Sequence, residues 1–149
     1  MRKFAETIDI AATPNRVWRA LTTPAEVVCW DTGVIAPLDV PSDYPRAGQR
    51  ARWRYRAGPL PLVLHDRPIR VEPESTFRSA IRLGPFDFDE TYTLRAQAAS
   101  VTLLTAELSL SSNLPFLGAL LERIVGQPLA RATVRSSLAA IKRHCERPE

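Results

Sequence analysis

Lysine is almost missing from this chain: Lys3 and Lys142 are its two, so that eighteen of the twenty basic side chains are arginine. Cysteine is as scarce. Cys29 and Cys145 are too few for a disulfide framework, and neither stands in a Cys-x-x-Cys pair or a His/Cys cluster of metal-ligand spacing. His144 is next to Cys145, yet neighbours on a helix point about 100° apart, which makes the pair part of a charged helix tail and implies no metal. No apolar run is long enough to span a bilayer, and "MRKFAETIDI" has neither an apolar signal core nor a small-residue cleavage site, so the expected location is cytoplasmic. A phosphate loop, a dinucleotide fingerprint and a Ser/His/Asp motif are all missing, which removes the commonest cofactor-dependent classes; no cofactor is expected.

At 149 residues the chain has the size of one ordinary domain, expected to run over 1–149, and folding such a chain buries about 70% of the surface its unfolded form exposes. With 45% hydrophobic and 24% charged residues, long disorder and fibrous repeats are excluded. The net charge of +4 permits attraction to phosphate or an acidic partner without requiring one, because the arginines are spread along the chain.

The hydrophobic period changes twice. "FAETIDI" reads as an opening strand with Phe4, Ile8 and Ile10 on one parity. In "AATPNRVWRALTTP", Thr13 serves as N-cap with Pro14 first in the helix, and Val17, Trp18 and Leu21 make an apolar stripe. "TPAE" repeats the signal, with Thr23 as cap and Glu26 placed to bond back to the cap residue's own N–H. A second short helix ends near Trp30. "APLDVPSDYPRAGQ" carries too many prolines for a central strand and is read as an edge and a loop. Five β segments follow, "RARWRYRA", "LVLHDRPIRVE", "STFRSAIRL", "FDFDETYTLRA" and "VTLLTAELSL", at the short spacing of an antiparallel meander. After them "NLPFLGALLERIVG" and the segment with Val134, Leu138, Ile141 and Cys145 both show helical stripes, interrupted at "GQP" because Pro128 cannot sit in a helix interior. The fold class is α+β. A curved sheet wrapped round one long C-terminal helix leaves room between them for an internal cavity.

In "QRARWRYRAG" arginine alternates strictly with Trp53, Tyr55 and alanine, and on a strand such rows face opposite sides of the sheet. The arginines are assigned to the convex, solvated face. Trp53 and Tyr55 then face inward, with Phe77, Ser79 and Ile81 on a later strand and Phe88, Glu90 and Tyr92 on the next. Among these Glu90 stands out, since a carboxyl between Phe88 and Tyr92 loses solvation, its pKa rises, and it can act as a general acid or base at neutral pH. The alternatives are a register slip at a bulge or an ion pair with an arginine such as Arg123. Tyr55 and Tyr92 can donate to a ligand carbonyl, or else satisfy backbone carbonyls. Trp30 and Trp53 are cavity walls or plain core, and His65, beside Asp66, Arg67 and Pro68, is read as a surface histidine. Leu121 belongs to the apolar segment before Pro128, which either closes over the cavity as a lid or packs rigidly on the sheet.

"ETIDIAATPNRVWRALTTPAEVVCWD", "RVEPESTF", "DETYTL" and "SSLAAIKRHCE", in this order and spacing, resemble the helix-grip superfamily called SRPBCC. It includes START lipid-transfer domains, birch-pollen-allergen proteins, polyketide cyclase/dehydrase proteins and Hsp90-ATPase-activator homologues. The resemblance spans nearly the whole chain and implies a seven-stranded antiparallel sheet gripping the C-terminal helix around a hydrophobic cavity that holds a small molecule. It does not imply one activity.

Four functions compete at this level. The first is a cofactor-independent cyclase/dehydratase that works by holding a reactive chain, with Glu90, Tyr55 and Tyr92 as catalytic groups and Trp30, Trp53, Phe77, Ser79, Ile81, Phe88 and Leu121 as ligand contacts. The second is a non-catalytic lipid or small-molecule carrier or sensor. The third is a chaperone-binding module of the Hsp90-activator type, suggested by "RVWRALTTPAEVVCW". Nucleic acid is the weakest partner, since the aromatics alternate away from the arginines instead of interleaving with them on one face. The oligomeric state is not encoded in these patterns.

Overall fold

A computed structural model describes residues 2–112 and 126–148, with the backbone alone at 2, 112 and 126–130. The elements are β1 (Arg2–Ile10), α1 (Pro14–Thr22), α2 (Pro24–Trp30), β2 (Val34–Asp39), β3 (Ala51–Ala57), β4 (Leu60–Glu72), β5 (Thr76–Leu83), β6 (Phe86–Ala98), β7 (Val101–Ser112) and α3 (Gly126–Glu146). All strands join one seven-stranded antiparallel sheet in the order β1-β7-β6-β5-β4-β3-β2. The proline-rich stretch forms the edge strand β2, where Pro37 removes no central ladder bond, and two register shifts bend it. Two-residue Gly-Pro turns close the β3–β4 and β5–β6 hairpins, with Gly58 and Gly84 both at φ +58°, a region open to glycine at no steric cost.

Thr13 caps α1 as expected, its hydroxyl accepting from the Arg16 N–H at 3.2 Å. The capping box read at Thr23 does not form. The Thr23 N–H is already bonded to the Arg19 carbonyl at 3.0 Å, so Glu26 has nothing there to accept, and its carboxylate turns to Arg16, Arg19 and His144. The α3 stripe is deeply buried: Val134, Leu138, Ile141 and Cys145 are between 0% and 7% exposed and pack with Ile10, Val17, Leu21, Leu94 and Leu104. Pro128 lies in the first turn of α3, where no intrahelical partner is required of its missing N–H. The helical stripe read over 117–125 lies outside the described residues.

Polar straps fasten β1 and its following turn to α3. Glu6 accepts Arg131 at 3.2 Å and Arg135 at 3.3 Å, the Lys142 ammonium donates to the Asp9 carbonyl at 2.8 Å, and the Ala11 N–H donates to Glu146 at 2.7 Å. Thr102, fully buried on β7, donates its hydroxyl to the Ala12 carbonyl at 2.8 Å.

Candidate functional site

Alternation on β3, β5 and β6 carries one row of each strand to the inner face. The cross-strand register sets Ser79 opposite Glu90, Phe77 opposite Tyr92, and Trp53 opposite Leu64 of β4. From the helical side come Leu21 of α1, Val27 and Trp30 of α2, and Asp31 just after it. Together these groups line a partly open cavity of about 80 Å³. Trp30 is fixed there by its indole N–H, which donates to the Ala20 carbonyl at 2.8 Å.

The cavity is less apolar than the alternation implies. Three carboxyl groups line it, Asp31, Asp66 and Glu90, and no Lys, Arg or His does so among the described residues. Burial first, then Asp31 and Asp66, push Glu90 up to about 8, so that it holds its proton at neutral pH. Burial also raises Asp66, against the opposing Tyr44, Ser79 and Trp53 side chains, and raises Asp31, against the Gly33 and Val34 amides. The phenols of Tyr44 and Tyr92 are pushed well up by burial and by the neighbouring acids.

Asp66 is held chiefly through Oδ2, with the Ser79 side chain also acting on the carboxyl. Its Oδ2 accepts the Tyr44 hydroxyl at 2.5 Å and the Trp53 indole N–H at 3.2 Å, while Oδ1 is buried without a hydrogen-bond partner. Edge contacts of Tyr44 with Trp53 and Phe77, at ring separations of 5.8 and 6.3 Å, hold the phenol in place. Neither the Glu90 carboxyl nor the Tyr92 hydroxyl makes a hydrogen bond among the described residues, and both line the cavity.

Of the residues expected from the sequence, Trp30, Trp53, Phe77, Ser79, Ile81, Glu90 and Tyr92 line this cavity. Tyr55 and Phe88 do not. The Tyr55 ring lies against the Gly33 backbone, so closely that a Cβ at Gly33 would overlap it, and it faces an open groove with Asp31 on one side and Ser136 and Ser137 of α3 on the other. The Phe88 ring lies tilted against Phe86 at 6.4 Å near the β5–β6 turn, at the start of its strand. Leu121 and the lid segment lie outside the described residues, as does Arg123. Asp66 and Tyr44 were not singled out by the sequence. Asp66 shares the parity of Leu62 and Leu64, a signal that was present, whereas Tyr44 reaches the cavity from the β2–β3 loop by tertiary folding alone.

A second polar cluster sits among the helices. Glu26 accepts Arg16 at 2.6 Å, Arg19 at 3.2 Å and the His144 ring at 2.8 Å. Burial pushes Glu26 up, but His144 and Arg16 outweigh it and hold the carboxyl below its ordinary range. His144 is thus a half-buried interhelical partner instead of a free helix tail, and burial lifts the adjacent Cys145 thiol to about 11. No group of His, Cys, Asp or Glu among the described residues has metal-binding geometry. On the convex face Arg50, Arg52, Arg54 and Arg56 are all exposed. An open groove of about 780 Å³ runs between arginines there, with Asp39 and Asp87 paired to Arg52 and Arg82.

The family described as polyketide cyclase/dehydrase and lipid transport matches residues 1–146. The chain belongs to this family. Solved structures similar to this polyketide cyclase/dehydrase and lipid transport family member bear out the helix-grip reading. A START superfamily protein from Mycobacterium smegmatis superposes with a TM-score of 0.77 at 14% identity, covering 97% of both chains. The Zhui aromatase/cyclase from Streptomyces sp. R1128 gives 0.73 at 16% identity, over 98% of this chain and 94% of its own. BexL, a di-domain aromatase/cyclase of the BE-7585A biosynthetic pathway, gives 0.75 at 19% identity, and this chain covers 98% of itself but 47% of BexL. No curated protein sequence matches the chain. No helix among the described residues is long and apolar enough to cross a membrane.

Proposed function

We propose that the chain binds a small, largely apolar molecule in the cavity between sheet and helices and moves protons on it without a cofactor, as a cyclase/dehydratase. The observation that carries this is Glu90: a carboxyl with no hydrogen bond among the described residues, lining a cavity and held up to about 8. Such a group is poised on both sides of neutral pH, where general acid–base catalysis is most effective. In its ionised form Glu90 takes a proton from the carbon beside a substrate carbonyl, the carbonyl oxygen gains the charge, and Tyr92 donates a hydrogen bond to it. The protonated Glu90 then returns that proton to the oxygen, leaving the enol, or to a hydroxyl that departs as water. Tyr55 senses Asp31 and Glu90 electrostatically but faces the neighbouring groove, so it takes a secondary place. The cavity walls Trp30, Trp53, Phe77, Ser79 and Ile81 supply orientation.

The experiment is deuterium exchange at the α-carbon of 2-butanone in D₂O between pH 6 and 10. Glu90→Gln is expected to remove about two orders of magnitude of any acceleration. If the unaltered protein gives no acceleration over this range, the catalytic reading fails. The lipid transport in the family's description then favours a carrier, for which mass spectrometry of gently released ligand is the direct test.

A further inference from the structure

Buried polar atoms in native proteins are nearly always paired, so each orphan asks for a partner that the polypeptide itself does not supply. This cavity holds one such atom, and further polar groups beside it. Asp66, 6% exposed, points one oxygen at Tyr44 and Trp53 and leaves Oδ1 buried and bare. Tyr92, 8% exposed, keeps a hydroxyl that makes no hydrogen bond among the described residues. Asp31 and Glu90 add two more carboxyls to the same lining, and nothing cationic among the described residues offsets them. At about 80 Å³ the space is roughly half that of a void known to take up benzene, which suits a compact polar end of a ligand and not a large ring.

We propose that Asp66 is the specificity-determining residue of this cavity: it selects a ligand whose inner end carries a hydrogen-bond donor, a hydroxyl or a protonated amine, and excludes carboxylates. The inference deepens the cavity reading above and rests on it. A donor entering the cavity meets Asp66 Oδ1, the acceptor the fold leaves open. A carboxylate brings a further negative charge beside Asp31 and Asp66 and no donor, so it loses both terms. Fatty acids in their ionised form are therefore the wrong class of lipid, and neutral hydroxylated or amine-bearing molecules the right one.

The pair of donors already on Oδ2 makes the proposal specific to this residue. In Asp66→Asn the side-chain carbonyl keeps Tyr44 and Trp53, both of which donate, and the amide NH₂ takes the place of Oδ1. An open acceptor becomes an open donor at nearly constant shape.

The test is a titration of the ¹⁵N-labelled protein at pH 7 with 1-butanol, butylamine, butyrate and the apolar isostere 1-chlorobutane, followed at the Trp53 indole N–H, which reports on Asp66 directly. Butanol and butylamine are expected to bind about tenfold or more tightly than 1-chlorobutane, with butyrate the weakest. Binding by both donors assigns the selection to hydrogen bonding, and binding by butylamine alone assigns it to charge; each supports Asp66. Asp66→Asn is expected to abolish the preference for butylamine over 1-chlorobutane, since an ammonium has no acceptor for the new amide N–H, and to improve butyrate. If 1-chlorobutane equals butanol in the unaltered protein, or if butyrate binds as well as butanol, the role of Asp66 is overturned while the cavity stands. If no probe binds, cavity and inference fall together. The unaltered protein decides the matter alone should Asp66→Asn not fold.

Discussion

Glu26 and Glu90 are the same residue in two opposite settings. Glu26 sits among Arg16, Arg19 and His144 and is held below its ordinary pKa in spite of partial burial. Glu90 sits among hydrophobes and two further acids and is pushed up to about 8. The first carboxylate joins α1, α2 and α3 through bonds that satisfy it. The second makes no hydrogen bond among the described residues and lines the cavity. The lesson lies in the partners: a buried acid given cations is structural, and one denied them is a candidate for function.

The contrast breaks most visibly with pH. Because the folded pKa of Glu90 lies above its unfolded value, the native state holds a proton the unfolded state releases, and stability declines as pH rises from about 4.5 to about 8. Glu90→Gln is therefore expected to equal the unaltered protein at pH 4 and to exceed it at pH 9 by on the order of 5 kcal/mol, at about 1.36 kcal/mol per pKa unit. Urea unfolding at the two pH values measures this, and parallel curves would remove Glu90 from the cavity argument. Glu26 has the reverse sign. Its folded pKa is lowered, so its contribution is present above 4.5 and is lost as pH falls through the folded value. Glu26→Gln is expected to cost about 2 kcal/mol at neutral pH, since it leaves Arg16, Arg19 and His144 one neutral amide oxygen in place of a shared carboxylate, and the deficit should shrink in acid.

Smaller changes sharpen the same comparison at its borders. Gly33→Ala drives a methyl into the Tyr55 ring and should cost about 1–3 kcal/mol, as overpacking does; thermal unfolding reads it, and an unshifted midpoint would show that the ring moves freely. Arg54→Ala on the convex face should change stability by less than about 0.5 kcal/mol and leave probe binding untouched. A loss of binding there would bring the arginine row back into the functional account.

Much of this was legible because alternation is a local signal. The row Trp53, the row Phe77 and Ser79, and the row Glu90 and Tyr92 follow from period two alone, and the register then brings them together. The pattern Leu62, Leu64, Asp66 carried the same signal but was masked by its polar neighbours His65 and Arg67. Asp31 and Tyr44 were not legible at all, as a helix end and a loop bring them in through contacts distant in sequence. Glu26 was misread for a related reason: the local capping pattern was sound, but long-range partners on α1 and α3 outcompeted it. Tyr55 kept its strand position yet lost the cavity, because a glycine on the neighbouring segment let its ring lie flat toward the groove.

The straps between β1 and α3 bear on how the chain is made. Every residue that pairs with β1 in the sheet lies between 102 and 110, and the side chains that fasten it, Arg131, Arg135, Lys142 and Glu146, come later still. Once synthesised, β1 must therefore wait, unpaired, for β7, the last of the described strands, while the hairpins from β3 to β6 need only their immediate neighbours. Completion of this fold is a late, non-local event, the kind that slows folding and leaves an exposed strand edge for chaperones to guard.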